Sequence, residues 1–394
     1  MKTVRVLQVV STLGIGGAET WLLELFKHIQ ASDGVNGIKL ELDMFLTGET
    51  RGDLEPEFDR LGVRLIRGQF GRGNLLRFGA AFRKALRERR YDAIHDHQDN
   101  AAGLHFLAGA GLLPPVRAAH VHNPPICLQS YASSPARKAT VAIGHYWLGR
   151  LGTHVLGTSS QALGEYGFYN RSFSRLKVMP LHCGIDTERF ALSHETSKSE
   201  VSWELGLASD ATIALFVGRL DSGHGNQKNP LFALETARAS IRRDRKLHFL
   251  MAGSWGGVGS QLAEMAAAWN EAPNIRILGP RRDVPRLMAA ADVLLVPSIQ
   301  EGLGMVIVEA QAAGLPVVAS DSIPRECVVV SGMVEFLPLS IGVERWSDAV
   351  AARIVKGRPP TAGVNRAVHE SQFSIQNSAN ALAEIYSGGA DQRA

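Results

Sequence analysis

Short aliphatic runs alternate with amphipathic stretches along almost the whole chain of 394 residues. Residues 4–10, 38–46 and 92–97 are three of the runs, and residues 19–30 and 75–90 have the apolar spacing of surface helices. Such alternation is typical of βαβ units, in which parallel strands lie between helices on both faces of a sheet. The first half therefore predicts a parallel sheet, with further strands at residues 63–66, 117–122, 154–159 and 177–181.

The alternation stops after Pro180 and begins again at residue 211. The residues from 184 to 210 are polar and show no strand pattern. The second series predicts six strands, at residues 211–220, 247–254, 275–279, 293–298, 316–320 and 333–339. We therefore expect an α/β fold of two doubly wound domains of similar size, joined near residue 185. Ligands are expected beyond the carboxyl ends of the strands.

The composition is that of an ordinary globular protein, with 45% hydrophobic and 20% charged residues. The cysteines Cys127, Cys183 and Cys327 lie far apart and form no C-x-x-C pair, which argues against a disulfide framework or a thiolate metal site. Residues 1–10 lack the layout of a signal peptide, and no apolar run reaches the roughly 18 residues that a membrane span needs. We expect a cytoplasmic protein.

Charge is distributed unevenly along the chain. Residues 1–180 carry about 22 Lys and Arg against 15 Asp and Glu, and the remainder carries about 20 against 23. A basic half is typical of proteins that bind nucleic acid, an anionic membrane or a phosphorylated substrate, and it is equally compatible with a solvated surface.

A glycine-rich turn follows the first predicted strand and leads into a helix. Gly14, Gly16 and Gly17 lie in this turn, and free N–H groups at the start of a helix attract anions. Glu19 stands where the dinucleotide fingerprint needs its third glycine, which argues against NAD or FAD. A phosphate contact and a purely structural turn both remain open.

Histidines follow two neighbouring strands of the first half. His95 and His97 alternate along one strand and His120 and His122 along the next, so each pair points to one face of the sheet. Contact with a sugar or a phosphate is the favoured interpretation. A metal site and a structural role are the alternatives, and no Cys or H-E-x-x-H partner supports the metal.

Two cations and two carboxylates follow strands of the second half. Arg219 and Lys228 can form a clamp for a diphosphate, although a pair of exposed surface charges is the alternative. In "EGLGMVIVEA", Glu301 is expected to project from a glycine-rich loop, and Glu309 is expected to be buried two turns into the following helix. Carboxylates so placed suit sugar and ribose hydroxyls better than glycosidase chemistry, which needs two carboxyls across one bond.

With these motifs together the chain resembles the retaining GT-B glycosyltransferases of family 4. The resemblance extends from about residue 4 to about residue 350 and is closest to the branch that builds bacterial capsular polysaccharides and exopolysaccharides. It rests on the E-x7-E element, on "VGRL" followed by "QKN", and on "GIDTERF" and "GGAE". Two stretches depart from the family pattern: "DSGHG" lengthens the loop before Lys228, and "GSWGG" replaces the usual turn.

The resemblance implies two Rossmann-like domains that face each other across a cleft. Residues 1–184 would form the acceptor domain and residues 185–370 the nucleotide-sugar donor domain, while residues 371–394 would form a C-terminal helix that can cross back to the first domain. The implied activity is metal-independent transfer of a hexose from a nucleotide diphosphate sugar, UDP-sugar above all, to an acceptor hydroxyl with retention of configuration. A lipid-linked glycan of bacterial surface polysaccharide biosynthesis is the expected acceptor, and no cofactor is expected.

The resemblance also implies roles for individual residues. Glu309 would bind the donor's ribose hydroxyls and Glu301 hydroxyls of the donor sugar. Arg219 and Lys228 would neutralise the leaving diphosphate, and His122 would lie beside the reacting sugar. Gly16 and Gly17 would close over the phosphates, and His97 is the second candidate for the position beside the reacting sugar. The base would lie near Gly253, against Pro280 and Arg281, and the N–H groups around Gly304, Met305 and Val306 would help Glu301 to bind the sugar.

The acceptor is expected to bind to the basic first domain. The helix near residues 72–90 has two interpretations: peripheral contact with an anionic membrane, or a solvated helix face. That helix carries Arg72, Arg77, Arg83, Lys84, Arg87, Arg89 and Arg90 beside Leu75, Leu76, Phe78 and Phe82. Two other functions stay open: a UDP-sugar 2-epimerase on the same scaffold, and a non-enzymatic module that binds nucleotide or nucleic acid. We expect no nucleic acid partner.

Overall fold

The chain consists of two compact units in the computed structural model, which describes residues 1–71, 73–123, 125–220, 227–254 and 259–388. Unit 1 comprises Met1–Ile185 together with Ile375–Ala394, and unit 2 comprises Asp186–Ser374. Within the described residues, no helix combines the length and the apolar character needed to cross a membrane. The chain therefore leaves unit 1 once and returns to it near residue 375.

Unit 1 is built on a seven-stranded parallel sheet with the strand order β3-β2-β1-β4-β5-β6-β7. Its central strands are nearly continuous aliphatic runs because both faces of a parallel sheet are covered by helices. The strands are β1 (Lys2–Val10), β2 (Ile38–Leu46), β3 (Leu65–Arg67), β4 (Ala93–Asp96), β5 (Val116–Val121), β6 (His154–Gly157) and β7 (Lys177–Pro180).

Helices cover the unit 1 sheet and bury their apolar faces against it. Phe78 and Phe82 of the third helix are buried in the core, where both rings contact Phe45 of β2. The helices are α1 (Gly17–Ala31), α2 (Glu55–Arg60), α3 (Leu75–Glu88), α4 (Ala102–Ala108), α5 (Pro125–Tyr131), α6 (Pro135–Leu151) and α7 (Ser160–Glu165), and 3-10 turns lie at Asp99–Ala101 and Arg171–Phe173.

Unit 2 is built on a six-stranded parallel sheet with the order β10-β9-β8-β11-β12-β13. The strands are β8 (Thr212–Val217), β9 (Leu247–Ala252), β10 (Ile275–Gly279), β11 (Val293–Val296), β12 (Val317–Ser320) and β13 (Val334–Leu337). The helices are α8 (His194–Leu205), α9 (Pro230–Arg243), α10 (Gly259–Ala267), α11 (Val284–Ala290), α12 (Met305–Ala312), α13 (Val343–Lys356) and α14 (Thr361–Glu370). The prediction of two Rossmann-like parallel sheets is confirmed.

The last helix, α15 (Ile375–Ser387), belongs to unit 1. It packs beside α1 and β1, where the Trp21 indole donates a hydrogen bond to Ser378 and the Gln8 amide donates one to Tyr386. Its apolar face is buried, with Leu382 fully covered and Tyr386 1% exposed. The polar bonds fix how α15 is rotated on the sheet.

Candidate active site

In unit 1 the strand order reverses between β1 and β4, because the chain runs from β1 to one side of the sheet and from β4 to the other. Open α/β sheets bind ligands in the crevice that forms at such a point, beyond the carboxyl ends of the strands. Gly16 and Gly17 follow β1, His97 follows β4 and His122 follows β5. The topology thus brings these four predicted site residues to one edge of the sheet.

Four histidines form a cluster at this edge. The rings of His95 and His97 lie 4.1 Å apart between centroids and those of His120 and His122 lie 4.0 Å apart, as strand alternation predicts. Nδ1 of His97 lies 2.9 Å from Nε2 of His122. Nε2 of His97 lies 2.8 Å from Oε1 of Gln8. The predicted site residues His97 and His122 are therefore hydrogen-bonded to each other.

A second hydrogen-bonded chain runs through the two deeper histidines, which are fully buried. Nδ1 of His95 lies 2.6 Å from the Tyr386 hydroxyl, and Nε2 of His95 lies 3.2 Å from Nδ1 of His120. Nε2 of His120 lies 3.2 Å from the carbonyl oxygen of Leu181. The Gln8 amide donates to the same Tyr386 hydroxyl at 3.1 Å and so joins the two chains into one network.

The hydrogen-bond partners fix the tautomer of each neutral histidine in this network. A carbonyl oxygen can only accept, so His120 carries its proton on Nε2 and accepts at Nδ1. His95 must then donate from Nε2 and accept at Nδ1 from the Tyr386 hydroxyl. That hydroxyl accepts from the Gln8 amide nitrogen, which leaves the Gln8 oxygen as the acceptor for His97.

The same reasoning extends to His122. His97 donates from Nε2 to Gln8, so its Nδ1 accepts the proton that His122 carries on Nε2. The lone pair of His122 is therefore on Nδ1, which lies 3.8 Å from the Cys183 sulfur. A thiol is a weak donor. A sugar hydroxyl can take its place, so His122 is arranged to accept a hydrogen bond at Nδ1.

Burial keeps the histidine network uncharged at neutral pH. Removal from water lowers the pKa of His122 to about 3. The pKa values of His95, His97 and His120 lie well below their ordinary value, mainly through burial and further through repulsion between the rings. Neutral imidazoles suit sugar hydroxyls better than phosphate anions.

Three of the histidines have ligand atoms close enough to hold a metal ion. The ligand atoms of His95, His97 and His120 lie within 4.8 Å of one another. Each ring nitrogen of the three already has a hydrogen-bond partner, so an ion would have to break bonds to residues such as Gln8 or Tyr386. The donor set fits a hydrogen-bond network better than a metal centre.

Asp99 holds the backbone beside His122. Its carboxylate accepts from the His122 backbone N–H and from the Asn123 side chain, both at 3.1 Å. Burial raises the pKa of Asp99 to about 6, against the lowering effect of these donors. Asp99 also has a left-handed backbone, with φ of 47°, which Asp tolerates better than most residues. It positions the loop that carries His122.

The start of α1 carries its own carboxylate. Gly16 is the N-cap and has no side-chain cap, and Glu19 folds back so that its carboxylate fills the space that a Cβ on Gly16 would need. Glu19 also adds to the raised pKa of the Cys183 thiol, for which burial is the larger cause. A phosphate at Gly16 and Gly17 would therefore have to share this helix end with Glu19.

In unit 2 the strand order reverses between β8 and β11. Arg219 follows β8, Gly253 follows β9, and the loop that carries Glu301 follows β11. A Cβ on Gly253 would overlap the carbonyl of Gly218, so only glycine allows these two strand ends to lie this close. The predicted donor residues thus meet at one edge of the unit 2 sheet.

Glu301 is the centre of a buried hydrogen-bond cluster rather than a projecting side chain. It is 6% exposed and accepts from Lys228 and Ser298, both at 2.6 Å, and from Gln227 at 3.1 Å. Gln227 also accepts from the Arg219 guanidinium at 3.3 Å. The predicted clamp of Arg219 and Lys228 is therefore linked through Gln227 and Glu301, and a carboxylate lies within it.

Glu309 is the partly exposed carboxyl of the pair, so the expectation that it is buried and Glu301 exposed was the wrong way round. It lies one turn, not two, from the start of α12 at Met305. Its poorly hydrated position raises its pKa to about 7, while Arg189 and Lys228 act to lower it. Among the described residues none donates a hydrogen bond to this carboxyl, which leaves both of its oxygens for a ligand.

The N-terminus of α12 faces this site without a cap. Gly304 precedes the helix with φ of 92°, and no side chain caps the first turn. The N–H groups of Met305 and Val306 lie in that turn, and both residues are partly exposed. Free N–H groups and the helix dipole favour an anionic or hydroxyl-rich ligand here.

Arg281 is held by acidic neighbours. Its guanidinium pairs with Asp283 at 2.7 Å and with Glu204 at 2.9 Å, and these carboxylates raise its pKa further. Pro280, which follows β10, is exposed. The ion pairs leave Arg281 less suited to the predicted contact with the donor's base than Pro280 and the neighbouring backbone.

Several residues of these clusters were not predicted from the sequence. Gln227, Ser298 and Arg189 in unit 2 and Gln8 and Tyr386 in unit 1 carry no motif, since single polar residues on buried strands and helices give no periodic signal. Gln227 adjoins Lys228 and could have been suggested by that spacing. The lengthened "DSGHG" loop, most of the "GSWGG" turn and Arg72 lie outside the described residues.

Two family models match the chain. The model described as "Glycosyl transferases group 1" matches residues 211–355, and the one described as "Glycosyl transferase 4-like domain" matches residues 16–182. The first match lies within unit 2 and the second within unit 1, so each unit has its own counterpart.

Curated relatives match over most of the chain. A putative glycosyltransferase, EpsF of Bacillus subtilis, is 29% identical over 97% of this chain and 96% of its own length. A D-inositol 3-phosphate glycosyltransferase of Salinispora arenicola is 27% identical over 94% and 87%. The UDP-Gal:alpha-D-GlcNAc-diphosphoundecaprenol alpha-1,3-galactosyltransferase of Escherichia coli is 25% identical over 64% of each chain.

Solved structures share the fold at lower identity. Anabaena HepE, crystallised in complex with UDP and glucose, superimposes with a TM-score of 0.75 at 18% identity over 98% of this chain and 100% of its own. Sucrose-phosphate synthase of Thermosynechococcus elongatus gives a TM-score of 0.74 at 18% identity over 99% and 100%. With both units matched by family models and a relative aligned over 97% of its length, the chain belongs to the family 4 glycosyltransferases, which have the GT-B fold.

Proposed function

We propose that this glycosyltransferase moves a hexose from a UDP-sugar to an acceptor hydroxyl with retention of configuration and without a metal ion. The observation that carries the proposal is the cluster in which Glu301 and Gln227 orient Lys228 and Arg219 beside the uncapped start of α12. Such preorganised cations and N–H groups can stabilise charge that develops on a leaving diphosphate.

The proposed roles in unit 2 follow from charge and exposure. Lys228 has three N–H bonds, of which Glu301 holds one, so two remain for phosphate oxygens. Glu309 accepts the two ribose hydroxyls, since its carboxyl is open and has no other donor among the described residues. The N–H groups of Met305 and Val306, after Gly304, and the backbone at Gly253 complete the donor contacts.

The groups available to accept a proton favour a front-face mechanism, in which the leaving diphosphate itself takes the proton of the acceptor hydroxyl. The acceptor hydroxyl must lose a proton, and His122, with a pKa of about 3, is a poor base at neutral pH. Glu301 is held in an ion pair. In the proposed course the leaving diphosphate takes this proton, while His122 accepts a hydrogen bond from a sugar hydroxyl at Nδ1. His97 positions His122 through their shared bond, and Gly16 and Gly17 contact phosphate.

The names of relatives support the choice of substrates. HepE is crystallised with UDP and glucose, and the Escherichia coli relative acts on a diphosphoundecaprenol-linked sugar by its name. We therefore propose a UDP-sugar donor and a lipid-linked glycan acceptor in bacterial surface polysaccharide biosynthesis. The first turn of α3 is the proposed membrane contact, since Leu75 is 55% and Leu76 92% exposed, whereas Phe78 and Phe82 belong to the core.

Thermal unfolding with UDP, GDP, ADP, CMP and NAD, each with and without EDTA, tests the donor site. A ligand that binds only the folded state raises its stability by mass action. We expect one nucleoside diphosphate, UDP, to raise the melting temperature equally with and without EDTA. The effect should be smaller in Glu309→Gln and unchanged in Glu264→Gln, which changes an exposed carboxyl of the same unit.

Three results would contradict the proposal: no stabilisation by any diphosphate, stabilisation that EDTA removes, or equal stabilisation of Glu309→Gln. Turnover of UDP-sugar without any acceptor would indicate the epimerase instead. The anomeric configuration of the product, read by NMR coupling constants, tests retention.

A further inference from the structure

A cavity of about 850 Å³ lies in unit 1 at the amino ends of β5, β6 and β7. The end of α6, the 3-10 turn Arg171–Phe173 and the end of α15 complete its wall. His97 and His122 follow the carboxyl ends of β4 and β5, so this cavity lies at the opposite end of the strands. Its volume is in the range of small-molecule sites.

The charge of the cavity wall is strongly positive. Five cations line it and one carboxylate, Glu384, accompanies them. The cations are Arg117, Arg150, Arg171, Arg175 and Lys177. Within the described residues, none of the five forms an ion pair with a carboxylate.

Some cations elsewhere in unit 1 are paired with carboxylates. Arg64 pairs with Glu88, Arg67 with Glu55, and Arg89 with Asp43 at 2.7 Å. Other exposed cations of unit 1, such as Arg60 and Arg77, also have no carboxylate partner among the described residues, so what distinguishes the cavity is that five cations line one concave space. Like charges around one concave space raise its potential and concentrate anions.

Arg117 is the preorganised member of the set. Its guanidinium is partly buried and donates to the carbonyls of Pro114 and Pro115, both at 2.8 Å, and to that of Leu151. These bonds fix its direction but bring no negative charge, and burial lowers its pKa. A cation removed from water without a counter-charge is costly, and a bound anion would remove that cost.

His154 responds to the same positive field. It is 8% exposed and forms part of the cavity wall. Burial, together with the charges of Lys177 and Arg117, lowers its pKa to about 4. A neutral His154 adds a hydrogen-bonding ring to the wall without adding to its charge.

We propose that this cavity is a second ligand site, which binds a phosphate-bearing anion such as a diphosphate. The bound phosphates lie between Arg117 at the base and Arg171, Arg175 and Lys177 at the exposed rim. Arginine forks and a lysine ammonium are the groups that proteins use for this chemistry. The phosphate belongs either to a soluble compound or to a lipid headgroup. The site stands independently of the donor site in unit 2.

Calorimetric titration with inorganic pyrophosphate tests the site. We use Lys228→Ala as the parent protein, so that a diphosphate site in unit 2 does not contribute. In this background the double change Arg171→Ser and Arg175→Ser should weaken pyrophosphate binding roughly tenfold or more, because two charge-assisted hydrogen bonds are lost. The matched control is Lys39→Ser with Arg60→Ser, which removes two exposed cations of unit 1 that lie outside the cavity wall and outside α3, and it should leave the affinity unchanged.

Cosedimentation with phosphatidylcholine vesicles, with and without phosphatidic acid, distinguishes a soluble phosphate compound from a lipid headgroup. Binding of pyrophosphate alone, lost in the Arg171 and Arg175 double variant, identifies a soluble phosphate ligand. Binding of phosphatidic acid vesicles that the same double variant loses identifies a lipid headgroup. The proposal is overturned if neither probe binds, or if both bind the double variant as well as they bind the parent and the control.

Discussion

The Tyr386 hydroxyl joins the two chains of the histidine network. It donates to His95 and accepts from Gln8, and so it links the tautomer of His120, which the Leu181 carbonyl fixes, to the tautomers of His97 and finally His122. Tyr386 comes from α15, so the last helix of the chain determines which nitrogen of His122 carries a proton. We regard Tyr386 as a positioning residue, since it contacts the network rather than the proposed substrate.

We predict that Tyr386→Phe lowers the free energy of unfolding by about 1–3 kcal/mol, because the buried Gln8 amide and His95 lose a partner while the ring still packs. Urea unfolding measures this loss. NMR of protein labelled with 15N-histidine should also show that His122 no longer has one tautomer. Tyr169→Phe, at a 56% exposed site of the same unit, is the control. Unchanged histidine nitrogen shifts in Tyr386→Phe would contradict the assignment.

Glu309 gives a second prediction, in the dependence of donor binding on pH. Its pKa of about 7 means that it is largely protonated at pH 6 and ionised at pH 8. If the carboxylate accepts ribose hydroxyls, UDP-glucose should bind roughly tenfold more tightly at pH 8 than at pH 6. The diphosphate of UDP-glucose is a diester and does not titrate in this range. Calorimetry at the two pH values measures the ratio.

The stability of the fold responds to pH in the opposite direction to donor binding: binding tightens as pH rises, whereas the contribution of Glu309 to stability falls. The pKa of Glu309 is higher in the fold than in the unfolded chain, so the fold binds more protons between pH 4.5 and 7. Stability from this group is therefore lost as pH rises through that window. Glu309→Gln should remove both the tightening of UDP-glucose and this part of the stability slope. A variant that keeps the full pH dependence of binding would show that another group titrates.

The sequence located the candidate residues better than it described their surroundings. His122, Glu301 and Lys228 could be singled out because strand ends of a parallel sheet collect ligands and because motifs mark them. Their burial could not be predicted, because the exposure of Glu301 depends on its contacts with Ser298 and Gln227. The positions of side chains in a polar cluster are set by tertiary packing, which local pattern does not record.

At the element scale, α4 and α6 approach so closely that only glycine fits between them. A Cβ on Gly103 would overlap the Gly144 carbonyl, and a Cβ on Gly144 would overlap the Asn100 carbonyl. Glycines inside helices weaken helix propensity, so these two carry a cost that close packing offsets. This pair could not be predicted from the sequence, because a glycine inside a helix interrupts the apolar pattern.

We predict that Gly144→Ala destabilises unit 1 by about 1–3 kcal/mol, because the added methyl group forces the two helices apart. Gly79→Ala provides the opposite control: Gly79 lies in α3, has no atom within 4 Å of a new Cβ, and should stabilise by about 0.5–1 kcal/mol through helix propensity. Urea unfolding of the two variants measures both signs. Equal stability of Gly144→Ala and the wild type would contradict the close packing.

At the scale of the whole molecule, the two-sheet architecture could be predicted because parallel strands are continuous aliphatic runs separated by helical stretches. The return of the chain to unit 1 was expected from family resemblance alone. Residues 375–387 are one amphipathic helix among many, and their pattern does not say which sheet they cover. Hydrogen bonds of Tyr386 and Ser378 decide this: Tyr386 accepts from β1, and Ser378 accepts from α1 and donates to the His182 carbonyl.

The final prediction concerns fragments of the chain. Unit 2 is one continuous segment, Asp186–Ser374, with its own core around Trp346 and the complete Glu301 and Glu309 clusters. Expressed alone, it should unfold cooperatively and be stabilised by UDP. The fragment 1–185 lacks α15 and should not fold stably, since the lost burial of Leu382, Ile385 and Tyr386 amounts to several kcal/mol, comparable with the total stability of a domain.

Circular dichroism melts measure whether each fragment unfolds cooperatively. A third sample contains the fragment 1–185 with residues 375–394 added as a separate peptide. The added peptide should restore a cooperative transition to the fragment 1–185, whereas the same peptide carrying Tyr386→Phe should restore it less well. A cooperative melt of 1–185 alone would show that α15 completes the histidine network without being needed for the fold. Loss of UDP stabilisation in a folded unit 2 would place essential donor contacts in unit 1, because the Lys228 and Glu309 groups remain intact in the fragment.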